Sequence, residues 1–323
     1  MARPSLRFLS ALALTSITFV TQAADLTIGY QTGIDPSKVP QADGAYERAI
    51  GEKIAWRRFN SGPEVVTAIA SGDVQIGNLG SSPLAAAATR KLPIVAFVVS
   101  AQINAAEALV VRNGSGINSP QDLVGKTIAT PFVSTSHYSL LGALKHWNLD
   151  TRQVKVVNLQ PAEIAAAWKR GDIDGAFVWS PALGEIRKTG KTLTDAAEVG
   201  GWGAPTFEVW VARKDFAEKH PEVVSKFAKV TLDSFADYAA NKAQWTADSL
   251  AVQKIAKLTG ANAADVPELL AGATFPDARA QPQLLQSQTP RAIAETAQFL
   301  KEQGKVEAVL ADYAPYVSAK FIQ

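Results

Sequence analysis

The stretch from Gly72 to Thr89 constrains this chain more than any other. Val74 and Ile76 predict a short apolar strand, Gly77 and Gly80 bracket a turn, and Pro83 with the alanines Ala85 to Ala88 behind it predicts a helix that Pro83 opens. Ser82 then falls at the N-cap. A helix start carries unpaired N–H donors and a partial positive charge, so Gly80, Ser81 and Ser82 form a neutral socket for an anion. For any single Ser-Pro start, an ordinary cap without a ligand is the better reading.

The same theme returns about a hundred residues on, too few times for a solenoid. Pro63-Glu64 leading to Gly72-Asp73-Val74 is echoed by Pro161-Ala162-Glu163 leading to Gly171-Asp172-Ile173, and Ser82-Pro83 by Ser180-Pro181. Between the copies, Gly125 to Thr130 predicts a strand. It runs into a helix marked by Leu140, Leu141, Leu144 and Trp147, which sets Thr135, Ser136 and His137 at a second donor-rich helix start.

Further strands are predicted at Leu26 to Tyr30, Lys53 to Phe59, Ala108 to Val111 and Thr206 to Val211. Ile94 to Ser100, a continuous apolar run, reads as a buried parallel strand, and Ala108 to Val111 as another. A helix is predicted from Pro63 to Ser71, and everything beyond Arg213 reads as helical, broken by turns between Asn262 and Thr289. The alternation implies an α/β fold with helices on both faces of each sheet. At 323 residues, 47% hydrophobic and 19% charged, the chain is long enough for two lobes with separate cores.

Thirty-two basic against thirty acidic residues leave a net charge of +2, with no clustered Lys/Arg run, so no nucleic-acid partner is expected. The absence of cysteine excludes disulfides, Cys-ligated metal, thiol catalysis and a lipid anchor on cysteine. Arg3 and Arg7, the apolar run Leu6 to Val20 and Thr21-Gln22-Ala23 have the layout of a secretory signal peptide over residues 1–23, cleaved after Ala23. The mature protein is expected to be exported, soluble and unanchored.

Four segments together resemble the taurine-binding members of the nitrate, sulfonate and taurine solute-binding family of ABC transporters. They are Gly77 to Pro83, Ser136 to Leu141, Ala167 to Ala176 and Gly201 to Thr206. The resemblance spans essentially the whole mature chain. It implies a two-lobed periplasmic binding protein fold of type II, each lobe a mainly parallel sheet flanked by helices, with the ligand cleft between lobes. Residues 24–110 and 212–323 would form lobe 1 and residues 111–211 lobe 2, with crossings near Val111-Arg112 and Val209 to Val211. The implied partners are taurine, or a related small sulfonate, and the permease subunits of an ABC importer. The protein is expected to be monomeric, periplasmic and free of cofactor and metal.

Taurine joins a permanently ionised sulfonate to an ammonium. The sulfonate offers only acceptors, which suits Ser81, Ser82, Thr135, Ser136 and His137; charge-assisted bonds are worth about 1.5–3 kcal/mol each. The ammonium calls for carboxylates. Glu107 and Glu208 each sit in an apolar strand at an expected crossing, where an unpaired charge is costly, and two of them suggest a cation between. Each taken alone is equally consistent with a solvent-facing strand residue. Gln31 adds a polar contact and Trp179 an aromatic wall. The relatives carry Asp in the Thr-x-Asp-Val-Trp segment where this chain has Glu208, one methylene longer. An enzyme on the same fold is the rival class, but His137, His146 and His220 share no ligand spacing and no third group orients a Ser136-His137 pair.

Overall fold

A computed structural model describes residues 26–322; the expected signal peptide lies outside the described residues. Ten strands are found among them: β1 (Leu26–Tyr30), β2 (Ile54–Arg58), β3 (Ile76–Gly80), β4 (Ile94–Gln102), β5 (Glu107–Arg112), β6 (Thr127–Thr130), β7 (Lys155–Asn158), β8 (Gly175–Trp179), β9 (Gly190–Asp195) and β10 (Phe207–Arg213). They form two five-stranded sheets, ordered β2-β1-β3-β10-β4 and β7-β6-β8-β5-β9. In the first, β1 is parallel to β2 and β3, and β10 runs antiparallel to both its neighbours. The second repeats the plan, with β5 as the antiparallel strand between β8 and β9.

The apolar runs at Ile94 and Ala108 are therefore antiparallel to their strand partners, not parallel as expected. Such a run reports burial on both faces, which β4 has: Ile94, Ala96 and Val99 join one core while Val95, Phe97 and Val98 join another. Strand direction leaves no mark in that pattern. The outer edge of β4 is closed by side chain and tail. Val99 donates its N–H to Gln281 Oε1 at 2.8 Å and accepts from Gln281 Nε2 at 2.9 Å, and Ser318 N–H donates to the Ala96 carbonyl at 2.9 Å. An open edge would invite pairing with another chain.

Both Gly-Asp turns form as predicted, with Gly72 at φ +89° and Gly171 at φ +81°, a left-handed conformation that suits glycine. The helix after β3 spans Ser81–Thr89 and is capped by Gly80, so the expected N-cap, Ser82, is its second residue and Pro83 its third. Proline is tolerated there because the first-turn N–H groups have no partner inside the helix. Its alanines are buried in one core with Ile293, Ala297 and Leu300 of the helix Thr289–Glu302. The second donor-rich start is realised as Thr135–His146, capped by Ser134. Residues beyond Arg213 are helical only in part: from 305 the chain is mostly irregular and is anchored by buried Tyr313, Tyr316 and Phe321.

The crossings also differ from expectation. β5 belongs wholly to the second sheet and β10 wholly to the first, so the chain passes over at 103–106 and 202–206, just before each antiparallel strand. An apolar strand looks the same whichever sheet receives it, so the sequence places the strand and not the passage. The lobes touch beyond the crossings too. Phe299 packs edge-on against Tyr138 at 4.8 Å, and Lys145 pairs with Glu302 at 3.5 Å. Among the described residues, no helix is long and apolar enough to cross a membrane.

Candidate functional site

The topology decides where the two acidic strand residues go. An antiparallel strand inserted among parallel ones begins where its neighbours end, at the carboxyl edge of the sheet, the edge at which open α/β sheets bind ligands. Glu208 accordingly pairs with Gly80, the last residue of β3, and Glu107 with Trp179, the last residue of β8. Each carboxylate thus sits at the first or second position after a crossing.

Both side chains line one cavity of about 40 Å³ between the lobes, with Asp35 and Ser100 from the first lobe and Trp179 and Ser180 from the second. Glu107 is 3% exposed; its Oε1 accepts from Thr135 Oγ1 at 2.6 Å and its Oε2 has no protein partner. Burial pushes its pKa up to about 7 against the pull of the Thr135 and Ser136 hydroxyls, with a smaller push from Glu208. Glu208 also rises to about 7, chiefly through burial and then the negative charge of Asp35, while the Lys38 ammonium and Asn78 amide act the other way. Glu208 keeps part of its surface because it faces the cavity, yet it lies deep enough for desolvation to dominate.

The two helix starts meet across the cleft. A Cβ on Gly80 would overlap the Thr135 methyl, so the close approach needs glycine at this position. Ser82 Oγ and Ser136 Oγ are buried without a protein partner, as are Ser180 Oγ and Thr206 Oγ1. Ser81 Oγ accepts a long bond from Phe207 N–H at 3.4 Å, tying the helix start to the second crossing. Gln31 donates from Nε2 to the Asn78 carbonyl at 3.1 Å and is buried. Trp179, 8% exposed, lines the cavity as a wall residue would.

Two expected roles change. Thr135 was to serve the sulfonate and Glu107 the ammonium, but Thr135 is the hydrogen-bond donor of Glu107 itself, so an ionised Glu107 competes with any anion for that hydroxyl. Much of His137 is used locally: its backbone N–H donates to Ser134 Oγ, its Nδ1 accepts from Val133 N–H at 3.1 Å, which leaves the proton on Nε2, and its ring stacks on Phe132. Burial, with the nearby Lys305 charge, holds His137 neutral, its pKa pushed down to about 4. A histidine one turn into a helix can fold back on its own loop, and that is its use here.

The sequence reasoning missed Asp35, Lys38, Ser100, Ser180 and Thr206. Asp35 lines the cavity; its Oδ1 accepts from the Ser37 N–H and hydroxyl, and its Oδ2 from Lys38 Nζ at 2.7 Å. The Asp35-Pro36-Ser37 turn chemistry was the available signal. Among the described residues, no group of three or more His, Asp or Glu is arranged to hold a metal.

The family described as "Substrate binding domain of ABC-type glycine betaine transport system" matches residues 24–257. The taurine-binding periplasmic protein of Escherichia coli (strain K12) is 52% identical over 311 residues, covering 96% of this chain and 97% of the relative. A putative aliphatic sulfonates-binding protein of Bacillus subtilis (strain 168) is 30% identical over 213 residues, 65% of this chain and 64% of its own. Among solved structures, the alkanesulfonate-binding protein SsuA from Xanthomonas axonopodis pv. citri bound to MOPS superposes with a TM-score of 0.78 at 23% identity, covering 92% of this chain and 98% of that one. Two sheets of one plan, a cavity between them and these matches agree: the chain belongs to the family of substrate-binding domains of ABC-type transport systems.

Proposed function

We propose that this protein is the periplasmic solute-binding component of an ABC importer, that it closes its two lobes on taurine, and that it delivers taurine to the membrane permease as a monomer. One observation carries the ligand: two carboxyl groups, buried Glu107 and part-buried Glu208, face a single cavity from opposite lobes, at the ends of the two crossings. A cation between them relieves both. Ser180 Oγ, on the cavity wall, and the hydroxyls of Ser82 and Ser136, at the two helix starts outside the cavity lining, have no protein partner and are the donors proposed for a sulfonate. The similarity to the taurine-binding protein of Escherichia coli supports the same choice.

Two other readings fare worse. A quaternary ammonium such as glycine betaine is held by a cage of aromatic faces, and among the described residues Trp179 is the one aromatic residue lining this cavity. Hydrolytic chemistry needs a base beside a nucleophile, and the Nδ1 of His137, the histidine at the cleft, is taken by Val133.

The test is calorimetric binding of taurine, its three-carbon homologue and ethanesulfonate to the wild type and to Glu208→Gln. Without the ammonium, two carboxyls confront each other in a closed site, a penalty of about 3–5 kcal/mol, so ethanesulfonate is expected to bind more than about a hundredfold more weakly than taurine. Equal affinity for the two would remove the carboxylate clamp.

A further inference from the structure

Lys38 is wholly buried, its side chain 1% exposed, at the first residue of the helix Lys38–Ala42. Its ammonium lies 2.7 Å from Asp35 Oδ2 and 5.9 Å from the centre of the Tyr30 ring. Asp35 lines the same cavity wall as Glu208, and the charges of Asp35 and Lys38 both reach Glu208 with opposite sign. Glu107 faces Glu208 from the other lobe, and Tyr46, near Asp35, is kept protonated by burial while hydrogen-bonded to Thr231.

A buried carboxylate takes the nearest available cation, and lysine carries its charge on a flexible four-carbon stem. The cation bonded to the cavity wall beside Glu208 is Lys38, held at 2.7 Å by Asp35, which lines the cavity with Glu208. We propose that the Asp35–Lys38 pair is a specificity-determining device: Asp35 holds the lysine ammonium away from Glu208, so that Glu208 has to draw its counter-ion from the ligand. The pair is internally neutral, so the carboxyl that this wall leaves for the ligand's amine is Glu208, opposite Glu107 of the other lobe. This inference rests on Glu208 receiving the ligand's ammonium.

The decisive variant is Asp35→Asn, which releases Lys38 to pair with Glu208 and stand in for the amine. Its preference for taurine over ethanesulfonate is expected to collapse from more than about a hundredfold to within about threefold, with ethanesulfonate binding more tightly than it does to the wild type. A merely damaged site would lose both ligands. In the double variant Asp35→Asn/Lys38→Met no stand-in cation remains, and the preference for taurine is expected to return. Lys38→Met alone leaves Asp35 unopposed, so the pH at which taurine binding is half lost should move upward. If the wild type shows no preference for taurine, the amine clamp itself fails and this inference with it. If the wild type prefers taurine and Asp35→Asn keeps more than about a tenfold preference, this inference alone is overturned. Should Asp35→Asn give no cooperative melt, the Lys38→Met titration decides, and an unmoved midpoint overturns the proposal.

Discussion

Gly80→Ala separates lobe closure from folding. The backbone at Gly80 is extended, with φ −82° and ψ 170°, so alanine fits its conformation without strain. The obstacle is across the cleft: an added Cβ overlaps the Thr135 methyl and lies 3.4 Å from Thr135 Oγ1 and 3.5 Å from its Cβ. Overpacking of this kind costs about 1–3 kcal/mol, and the cost falls on the contact between lobes, not on either core. The lobes can escape it by parting slightly, which sacrifices the geometry that grips the ligand. Taurine affinity is therefore expected to fall by about five- to 150-fold, while the melting temperature of the unliganded protein stays at the wild-type value. Calorimetry gives the first quantity and calorimetric melting the second. Thr135→Ser removes the methyl and keeps the hydroxyl bonded to Glu107, so adding it to Gly80→Ala should restore affinity to within about threefold of Thr135→Ser alone. Undiminished binding by Gly80→Ala, or a melting temperature that drops while binding holds, would refute the reasoning.

The remaining predictions concern charge and hydroxyls. Glu107 has a folded pKa of about 7, above the ordinary carboxylate range, so the folded state binds the proton more tightly. Its contribution to stability is greatest below the unfolded pKa and is lost as pH rises through 7, to a total of about 3 kcal/mol. Unliganded wild type should thus gain stability relative to Glu107→Gln between pH 8 and pH 5, in a comparison that cancels the opposite trend of His137, whose depressed pKa costs stability as pH falls below its usual range. Taurine binding should show the reverse sign, weakening as the pH drops below 7, because the ammonium favours ionised carboxylates; calorimetry across pH checks it. Ser82→Ala should weaken taurine binding by about ten- to 150-fold, the loss of one charge-assisted hydrogen bond, without lowering the melting temperature, since its hydroxyl has no protein partner.

What the sequence revealed about the fold it revealed through local chemistry. Gly72 and Gly171 announce their turns because left-handed backbone selects glycine, and Thr135 announces a helix start through the periodic leucines behind it. Glu107 and Glu208 stand out because an acid inside an apolar strand is expensive. The misses are matters of three-dimensional pairing. Nothing in Ile94 to Ser100 encodes strand direction, and nothing in Phe207 to Arg213 says which sheet it enters. Lys38 looks like a surface residue until Asp35 is seen beside it, and Asp35 enters the site only because its loop folds over the end of β1. His137 carries donors and acceptors that suit an anion, and its own loop claims its backbone N–H and its Nδ1.

The strand order also bears on how the protein comes into being. The second sheet is built from consecutive strands, complete once Asp195 has been made. The first lacks its fourth strand until Arg213, and without β10 the strands β3 and β4 have no hydrogen-bonded link to one another. Domains tend to fold as units in order of synthesis, yet here the lobe begun first is expected to be finished last, holding the buried apolar face of β4 uncovered in the meantime. Pulse-labelled hydrogen exchange during refolding should show amides of β5 to β9 protected before those of β4, and simultaneous protection would refute that order. A chain with this arrangement has a built-in interval in which its N-terminal third remains unfolded while its middle can already be folding.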